Sequence, residues 1–473
     1  MPTLGFVPLS TDLLDGLRDV VGPAGVIVDE GGVETLSKDY YWYSPVLSAR
    51  LEDRRASAAV KVTSLAELRA VVAQTATARV PITVRGGATG NYGQCIPLYG
   101  GLVIDLSGMN QILSIEEGVV TAEPGTRLGS VEVAARAQGW ELRCYPSTWV
   151  KSSIAGFLGG GSGGIGSISW GGLSAPGTIK RMKLLTIEET PRVVTLDEAE
   201  TLTAFHGYGT NGIMVEVQMR LAPAYPWEQI VVGSSDWDRL LDFADEIARD
   251  DRVRKRLVSV LENPIPSFFK PIKKFYPDDM SLIFFEIDAA MSEEVKTRAQ
   301  AAGLDVPHTI AAHEPRRPPM LSDYTWNHTT LWAIKADKSW TYIQSGFREN
   351  FREQIKQVQA AFPGEVLFHL EFTKNVPAGG SHAVVGAGGI PLVKFTTEER
   401  LKEIITFCRS IGIGIADPHT CYVEDGWTHF DFTRHHALKR ETDPHGLLNP
   451  GKMKNYADDP FARGMPDPKF LFT

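Results

Sequence analysis

Residues 84–94 read VRGGATGNYGQ, placing Gly86, Gly87, Gly90 and Gly93 within eight positions, directly after Arg85. Main-chain N–H groups in tight turns form anion-binding concavities, and only glycine lets the chain approach a ligand that closely. Hydrogen bonds to a charged group contribute about 1.5–3 kcal/mol each, so several can hold a pyrophosphate without a lysine. A second cluster, GFLGGGSGGIG, spans 156–166, and its GSGGIG (161–166) matches the dinucleotide fingerprint GxGxxG, with Glu188 further on. That fingerprint must leave a strand and open a helix. Here VKSSIAGFLG is not a convincing strand, and SISWGGLSAPG, with its glycines and proline, does not read as a helix. Two separated glycine loops remain, with no helix between them and their ligand. Plain flexible loops are the alternative for either one.

Groups able to move a proton concentrate later in the chain: all histidines but His206 lie in the second half. YTWNHTTLWAIKAD (324–337) reads as a strand, and its alternation sends Tyr324, Trp326 and His328 to one face. An aromatic floor with one imidazole suits a flat pocket; a core strand with a satisfied histidine suits the pattern equally. In FHLEF (368–372), His369 and Glu371 share one face, as a proton relay or as a polar pair on the solvent side. The polar segment IADPHTCYVEDG (415–426) offers His419 and Glu424. His435 and His436 sit mid-helix among basic residues. HEPRRPP (313–319) supplies Arg316 and Arg317 as a carboxylate clamp, or simply a solvated loop.

The elements that must position these groups follow from pattern. AAVKVT (58–63) and VPITVRGG read as strands flanking the helix SLAELRAVVAQTATA, where Ser64 and Glu67 are spaced as a capping box. GLVIDLS (101–107) is a further strand interrupted by Asp105, and LGSVEVAARAQGW is a helix stopped at Gly139. KRMKLLTI and RVVTL read as strands joined by a turn, and GIMVEVQMRLA (212–222) alternates as a half-buried strand. APAYPWE (222–228) marks a boundary. Beyond it, amphipathic helices alternate with strands such as SLIFFEID, which predicts an antiparallel sheet covered by helices.

Composition narrows the function classes. The chain has 473 residues, enough for two or three domains, with 43% hydrophobic and 22% charged residues and a net charge of −9. That charge argues against a nucleic-acid partner. The sequence holds no apolar run long enough to span a membrane and no basic-then-apolar leader. A cytoplasmic protein is expected. The four cysteines lack metal or redox spacing, so free thiols are expected.

Residues 81–113, PITVRGGATGNYGQCIPLYGGLVIDLSGMNQIL, resemble the pyrophosphate-loop segment of the FAD-linked oxidases, the vanillyl-alcohol-oxidase-type flavoproteins. Further matches come in that family's order: VTAEPGTRLGSVEVAARAQGW (120–140), YPST (145–148), SSIAGF (152–157), GSISWG (166–171) and GYGTNGIMVEVQMRLAP (207–223). DPHGLLNPGKM (443–453) resembles the closing motif of the glycolate-oxidase and D-lactate-dehydrogenase branch. The resemblance implies FAD held by Arg85, Gly86, Gly87, Ala88, Thr89, Gly90, Asn91 and Tyr92. It adds Pro146, Ser147, Thr148, Ser152, Ser153 and Gly156 on the flavin side, Gly212 and Ile213 near the adenine, and Asn449 and Lys452 from the tail.

Departures from the family pattern also carry expectations. Ala88 and Thr89 stand where covalently flavinylated members often have a histidine, and Cys144 does not fit the second attachment spacing, so non-covalent FAD is expected unless a histidine of the second domain is attached. The GDGNxH motif of 2-hydroxy-acid members is missing, which weakens that substrate class and argues against a metal. Tyr208 and Asn211 replace the glutamate and leucine of the GSEGTLG pattern.

Together these readings predict an α+β fold with a two-part FAD-binding domain (1–223, rejoined by 421–473) and a substrate domain (224–420) with an antiparallel sheet. The implied activity is FAD-dependent oxidation of a small alcohol or 2-hydroxy acid, with hydride passing to flavin N5 and a proton to His328 or His419. Tyr324, Glu424 and His369 are the other catalytic candidates. Dioxygen or another electron acceptor and a homodimer are the expected partners. Alternatives are oxidation of a phenolic or aromatic alcohol, and a flavin electron-transfer component with no substrate of its own.

Overall fold

A computed structural model of the chain describes residues 9–312, 320–375, 382–426, 432–461 and 469–472. The first layer is a four-stranded sheet in the order Val26–Ile27, Ala58–Lys61, Leu102–Asp105, Ile82–Arg85. Its last three strands run parallel, and the helix Leu65–Thr77 makes the crossover. Ser64 caps that helix by accepting from Glu67 N, while the Glu67 carboxylate accepts from Thr63 N at 2.7 Å. Asp105 is buried at the end of its strand and accepts from Ser107 N at 2.9 Å, which explains a carboxylate in an apolar run. The tail joins this layer: Ile82 N donates to Leu447 O at 2.8 Å, and Asn449 N donates to Ile82 O at 2.6 Å.

A second, six-stranded sheet centres on Ile213–Pro223, with Val119–Ala122 and Ile179–Leu185 on its two sides. An eight-stranded sheet follows, begun by Trp227–Ser234, and every pairing within it is antiparallel. Period-two alternation divides its strands cleanly. Ile230, Val232, Val258, Val260, Ile283, Phe285, Leu370 and Phe372 pack in one core with residues of the helices Trp237–Arg249, Phe351–Ala361 and Glu398–Ser410. Val231, Leu257, Leu261, Leu282 and Phe284 pack on the other face with Tyr145, Phe157 and Leu158 from around the second glycine cluster. By the same alternation Ser259, His369 and Glu371 belong to that second face. Arg256, fully buried, ties the layers by donating to Glu286 at 2.8 Å and Glu141 at 3.0 Å.

Two local expectations are corrected. Residues 324–337 are not a strand: a 3-10 turn covers Leu321–Tyr324 and an α-helix covers Asn327–Ala336. The aromatic alternation at 324, 326 and 328 is incidental, because Leu331 and Ile334 pack at helical spacing against a tyrosine cluster while Thr329, Thr330 and Ala333 are buried. The second glycine cluster is partly helical as well. Ile154–Gly160 form a helix capped by Ser153 and closed by left-handed Gly161, and Ser167–Trp170 form a single turn. None of the described helices is long and apolar enough to cross a membrane. Cys95 is half-buried and the other three cysteines are buried, all unpaired.

Candidate cofactor and active site

The strand Ile82–Arg85 delivers the chain into a loop whose main-chain donors are open. Among the described residues, no protein acceptor reaches the N–H groups of Ala88, Thr89, Gly90 or Asn91. Ala88 has φ 47°, the left-handed turn that makes consecutive amides converge on one side. The glycines also serve a purpose the sequence reading did not assign. A Cβ on Gly86 would lie 2.1 Å from Ser153 Oγ, and one on Gly87 would lie 2.4 Å from Lys151 O. Their bareness therefore seats the first glycine loop against the second. Gly87 N donates to Ser153 Oγ at 3.3 Å, and a hydroxyl chain runs from Thr89 to Ser152 to Thr148 with 2.7 Å at each step.

Arg85 faces elsewhere. Its Nη1 donates to Leu36 O at 2.6 Å and Thr35 O at 3.1 Å, closing the end of the helix Glu30–Leu36. The tail completes the cradle. Asn449 Nδ2 donates to Gln94 O at 2.9 Å and Tyr208 O at 2.6 Å, and Lys452 Nζ donates to Gly93 O at 2.6 Å. Asp39 lies buried beside them, accepting from Tyr41 N and Cys95 N. Burial pushes its carboxyl up to about 6, opposed by the Lys452 charge. Gly212, at φ 80°, turns the chain into the strand that starts with Ile213, whose side chain is core. Pro146 accepts from Trp149 N in the turn that presents Ser147 and Thr148, and Gly156 N donates to Ser153 Oγ at 3.3 Å.

Where the loops meet, tyrosines gather. Tyr92 and Tyr208 stack with ring centroids 6.4 Å apart. The Tyr92 hydroxyl accepts from Gln344 Nε2; burial pushes it up to about 12 despite that bond. Leu331 and Ile334 pack on the same tyrosine cluster, so the helix Asn327–Ala336 lies beside the first glycine loop. His206, overlooked in the sequence, abuts the second loop, its Nδ1 2.8 Å from Gly160 O, and burial lowers its pKa to about 4.

Of the five catalytic candidates, the structure places one in a converging polar network. His369 is fully buried, not on a solvent face, and its Nε2 lies 2.8 Å from Glu371 Oε1, 3.2 Å from Ser259 Oγ and 3.4 Å from Thr329 Oγ1. Glu371 Oε1 also accepts from Ser259 Oγ at 3.0 Å and from Trp326 N at 2.9 Å. An imidazole facing a carboxylate donates to it, which leaves the lone pair on Nδ1, and among the described residues that buried nitrogen has no protein partner.

His328 is half-buried one residue from Thr329. Its Nδ1 lies 3.0 Å from Asp323 O and so carries the proton, and burial lowers the group to about 4, keeping it neutral with Nε2 available. His419 is sealed in the core, with Nδ1 2.7 Å from Ser44 Oγ and Nε2 2.9 Å from Tyr342 O. Both nitrogens are engaged and burial lowers its pKa to about 4, so it works as a structural tie rather than a substrate-facing base. Tyr324 stacks on Trp332 at 5.7 Å and packs on Phe269, in a core position. Glu424 accepts from Lys454 N and Asn455 N at 3.1 Å, fastening the tail. Arg316 and Arg317 lie outside the described residues. Among the described residues, no group of three metal-ligating side chains could hold an ion.

FAD fits what is present. Four open amides lie beside a loop of hydroxyls, and among the described residues Asn91 Nδ2 and Asn449 Oδ1 are buried without protein partners. Leaving such a group unsatisfied costs about 1–3 kcal/mol, so their clustering at one loop calls for a polar ligand. Comparison with known proteins agrees. Residues 56–196 match the FAD binding domain family model. D-2-hydroxyglutarate dehydrogenase of Stutzerimonas stutzeri is 26% identical over 61% of this chain and 62% of its own length. Glycolate oxidase subunit GlcD of Escherichia coli is 25% identical over 82% of this chain and 81% of its own. An uncharacterized FAD-linked oxidoreductase of Mycobacterium tuberculosis is 32% identical, but the chain spans only 20% of its length. In structure, 4-ethylphenol oxidase from Gulosibacter chungangensis superposes with a TM-score of 0.65 at 15% identity, over 93% of this chain and 96% of that one. Residues 56–196 are therefore an FAD-binding domain, and the chain around them shares the α+β fold of 4-ethylphenol oxidase.

Proposed function

We propose that this protein oxidises the CH–OH group of a small alcohol or 2-hydroxy acid, using non-covalent FAD. Bound FAD would supply the two-electron acceptor for the substrate's hydride. The chain supplies the rest. The amides of Ala88–Asn91 and the hydroxyls of Thr89, Thr148 and Ser152 hold the cofactor's polar groups, with Asn449 and Lys452 bracing the loop from behind. His369 takes the hydroxyl proton at Nδ1 while Glu371 keeps Nε2 protonated and the ring oriented, and the substrate carbon–oxygen bond becomes a carbonyl. The observation that carries this reading is the pairing of His369 Nε2 with Glu371, which leaves Nδ1 as a buried, unengaged base.

A second assignment gives the proton to His328. Its favouring observation is a neutral imidazole whose Nε2 has no protein partner among the described residues. The named substrates of the relatives, glycolate and D-2-hydroxyglutarate, support hydroxy acids. The phenol-oxidising structural neighbour and the tyrosine cluster keep aromatic alcohols in the comparison.

The test begins with acid precipitation of the purified, yellow protein: colour in the supernatant supports non-covalent FAD, and colour in the pellet rejects it. Anaerobic mixing with glycolate, D-lactate, D-2-hydroxyglutarate, vanillyl alcohol and 4-ethylphenol then follows loss of the flavin band. Bleaching by a CH–OH compound is the expected result. A flavin that none of these reduces, yet accepts electrons from a partner protein, would replace the oxidation reading with an electron-transfer role.

A further inference from the structure

We infer that Glu371 is a positioning residue coupling the substrate-side imidazole to the cofactor loop, with Trp326 as the link; this rests on the reading that the glycine loops hold FAD. One carboxylate oxygen takes three donors from three segments: Ser259 Oγ at 3.0 Å, His369 Nε2 at 2.8 Å and Trp326 N at 2.9 Å. Ser259 and Glu371 are cross-strand partners, so the carboxylate is fixed on the sheet from which it reaches. Trp326 is an unexpected residue to find at its other end. It has φ 52° and ψ −139°, backbone angles that a bulky side chain adopts only when its surroundings impose them. The charge-assisted bond from its N–H to Glu371 is such an imposition. The carboxylate also lies at the N-terminal end of the helix Asn327–Ala336, where negative charge is favoured.

The Trp326 ring carries the restraint onward. A Cβ on Gly163 would lie 2.9 Å from Trp326 Cη2, so ring and glycine are in contact across the second loop. No protein acceptor reaches the N–H of Ser162 or Gly163 among the described residues, and Trp326 Nε1 is buried without a partner. One carboxylate thus sets the imidazole on the sheet and, through a strained tryptophan, the wall beside the cofactor loop. Moving it disturbs both together.

Three variants of the FAD-loaded protein separate coupling from mere packing. Glu371→Ala is expected to change the visible circular dichroism of the bound flavin and to slow bleaching by about 100-fold or more. Glu371→Gln keeps an oxygen for the Trp326 N–H, so its flavin dichroism stays like the wild type while the pH profile of bleaching shifts. Gly163→Ala pushes the Trp326 ring from the other side. It reproduces the dichroism change of Glu371→Ala and keeps the wild-type shape of the pH profile. A wild-type flavin spectrum in both alanine variants overturns the coupling, and so does a wild-type pH profile in Glu371→Gln. The dichroism arm needs bound FAD and no turnover. A wild type that holds FAD but oxidises no CH–OH compound therefore refutes the proposed reaction while the coupling is still decided.

Discussion

The glycine-loop cradle and the floor formed by the His369–Glu371 network meet at Trp326, yet they are built from opposite materials. The cradle works with main chain: open amides from Ala88 to Asn91, a left-handed Ala88, and glycines so closely packed that one Cβ would come within 2.4 Å of Lys151 O. Its side chains are mostly small hydroxyls. In the floor, side chains do the work: Ser259, His369, Glu371 and Thr329 are brought together within 3.4 Å by two strands and a helix. A cofactor of fixed shape can be held by backbone geometry. The proton acceptor must be a side chain of a particular kind, in one tautomer, and it takes several distant segments to hold it there.

Damage to either region should therefore read out differently, and the largest effect belongs to the cradle. Gly87→Ala drives a methyl into a backbone carbonyl that has no room to yield, so FAD affinity should fall by about 100-fold or more by fluorescence titration. Thr89→Ala loses only one hydroxyl bond, and its affinity should change by less than about tenfold. If the two variants bind FAD alike, the packing account of the glycines is wrong.

Next, His369→Gln should lower the rate of anaerobic bleaching by about 100-fold, the low end for a general base, while FAD binding persists. His328→Gln should cost less than about tenfold. The reverse ranking would transfer the base to His328 and leave the floor network as scaffolding.

The smallest effect tests a histidine assigned to neither region. His419→Ala should destabilise the fold by about 1–3 kcal/mol, because Ser44 Oγ and the Tyr342 carbonyl lose their buried partner. Its pH dependence has a definite sign. The folded imidazole titrates near 4 against 6.5 unfolded, so between those values the unfolded chain binds the proton more readily. The contribution is full above pH 6.5 and is lost as pH falls toward 4, by up to about 1.4 kcal/mol per unit. The variant should thus lose less stability between pH 7.5 and pH 5 than the wild type, measured as Tm. Equal losses would remove His419 from the acid response.

The same contrast explains what the residues disclosed unaided. Main-chain anion binding needs glycine and little else, so the loops at 84–94 and 156–166 could be read as a cradle, and the alternation of His369 and Glu371 against Phe368, Leu370 and Phe372 correctly paired them. Which face was buried could not be read there. It depends on Tyr145, Phe157 and Leu158, two hundred residues earlier in round terms, packing on that side of the sheet. Residues 324–337 misled for the same reason: their aromatic alternation mimicked a strand, while the helix is set by contacts with Tyr92 and Tyr342. Nothing local marked His419 as a tie to Ser44, or Trp326 as left-handed. The glycines were legible as bare, but not as seats for Ser153 and Lys151.

Lys452 reaches the Gly93 carbonyl from near the end of the chain, and buried Asp39 lies beside it from near the beginning. The cradle is thus fastened by residues 355 and 359 positions away from the carbonyls they hold. A cut ahead of Asn449 is expected to unfasten the first glycine loop without touching a single glycine.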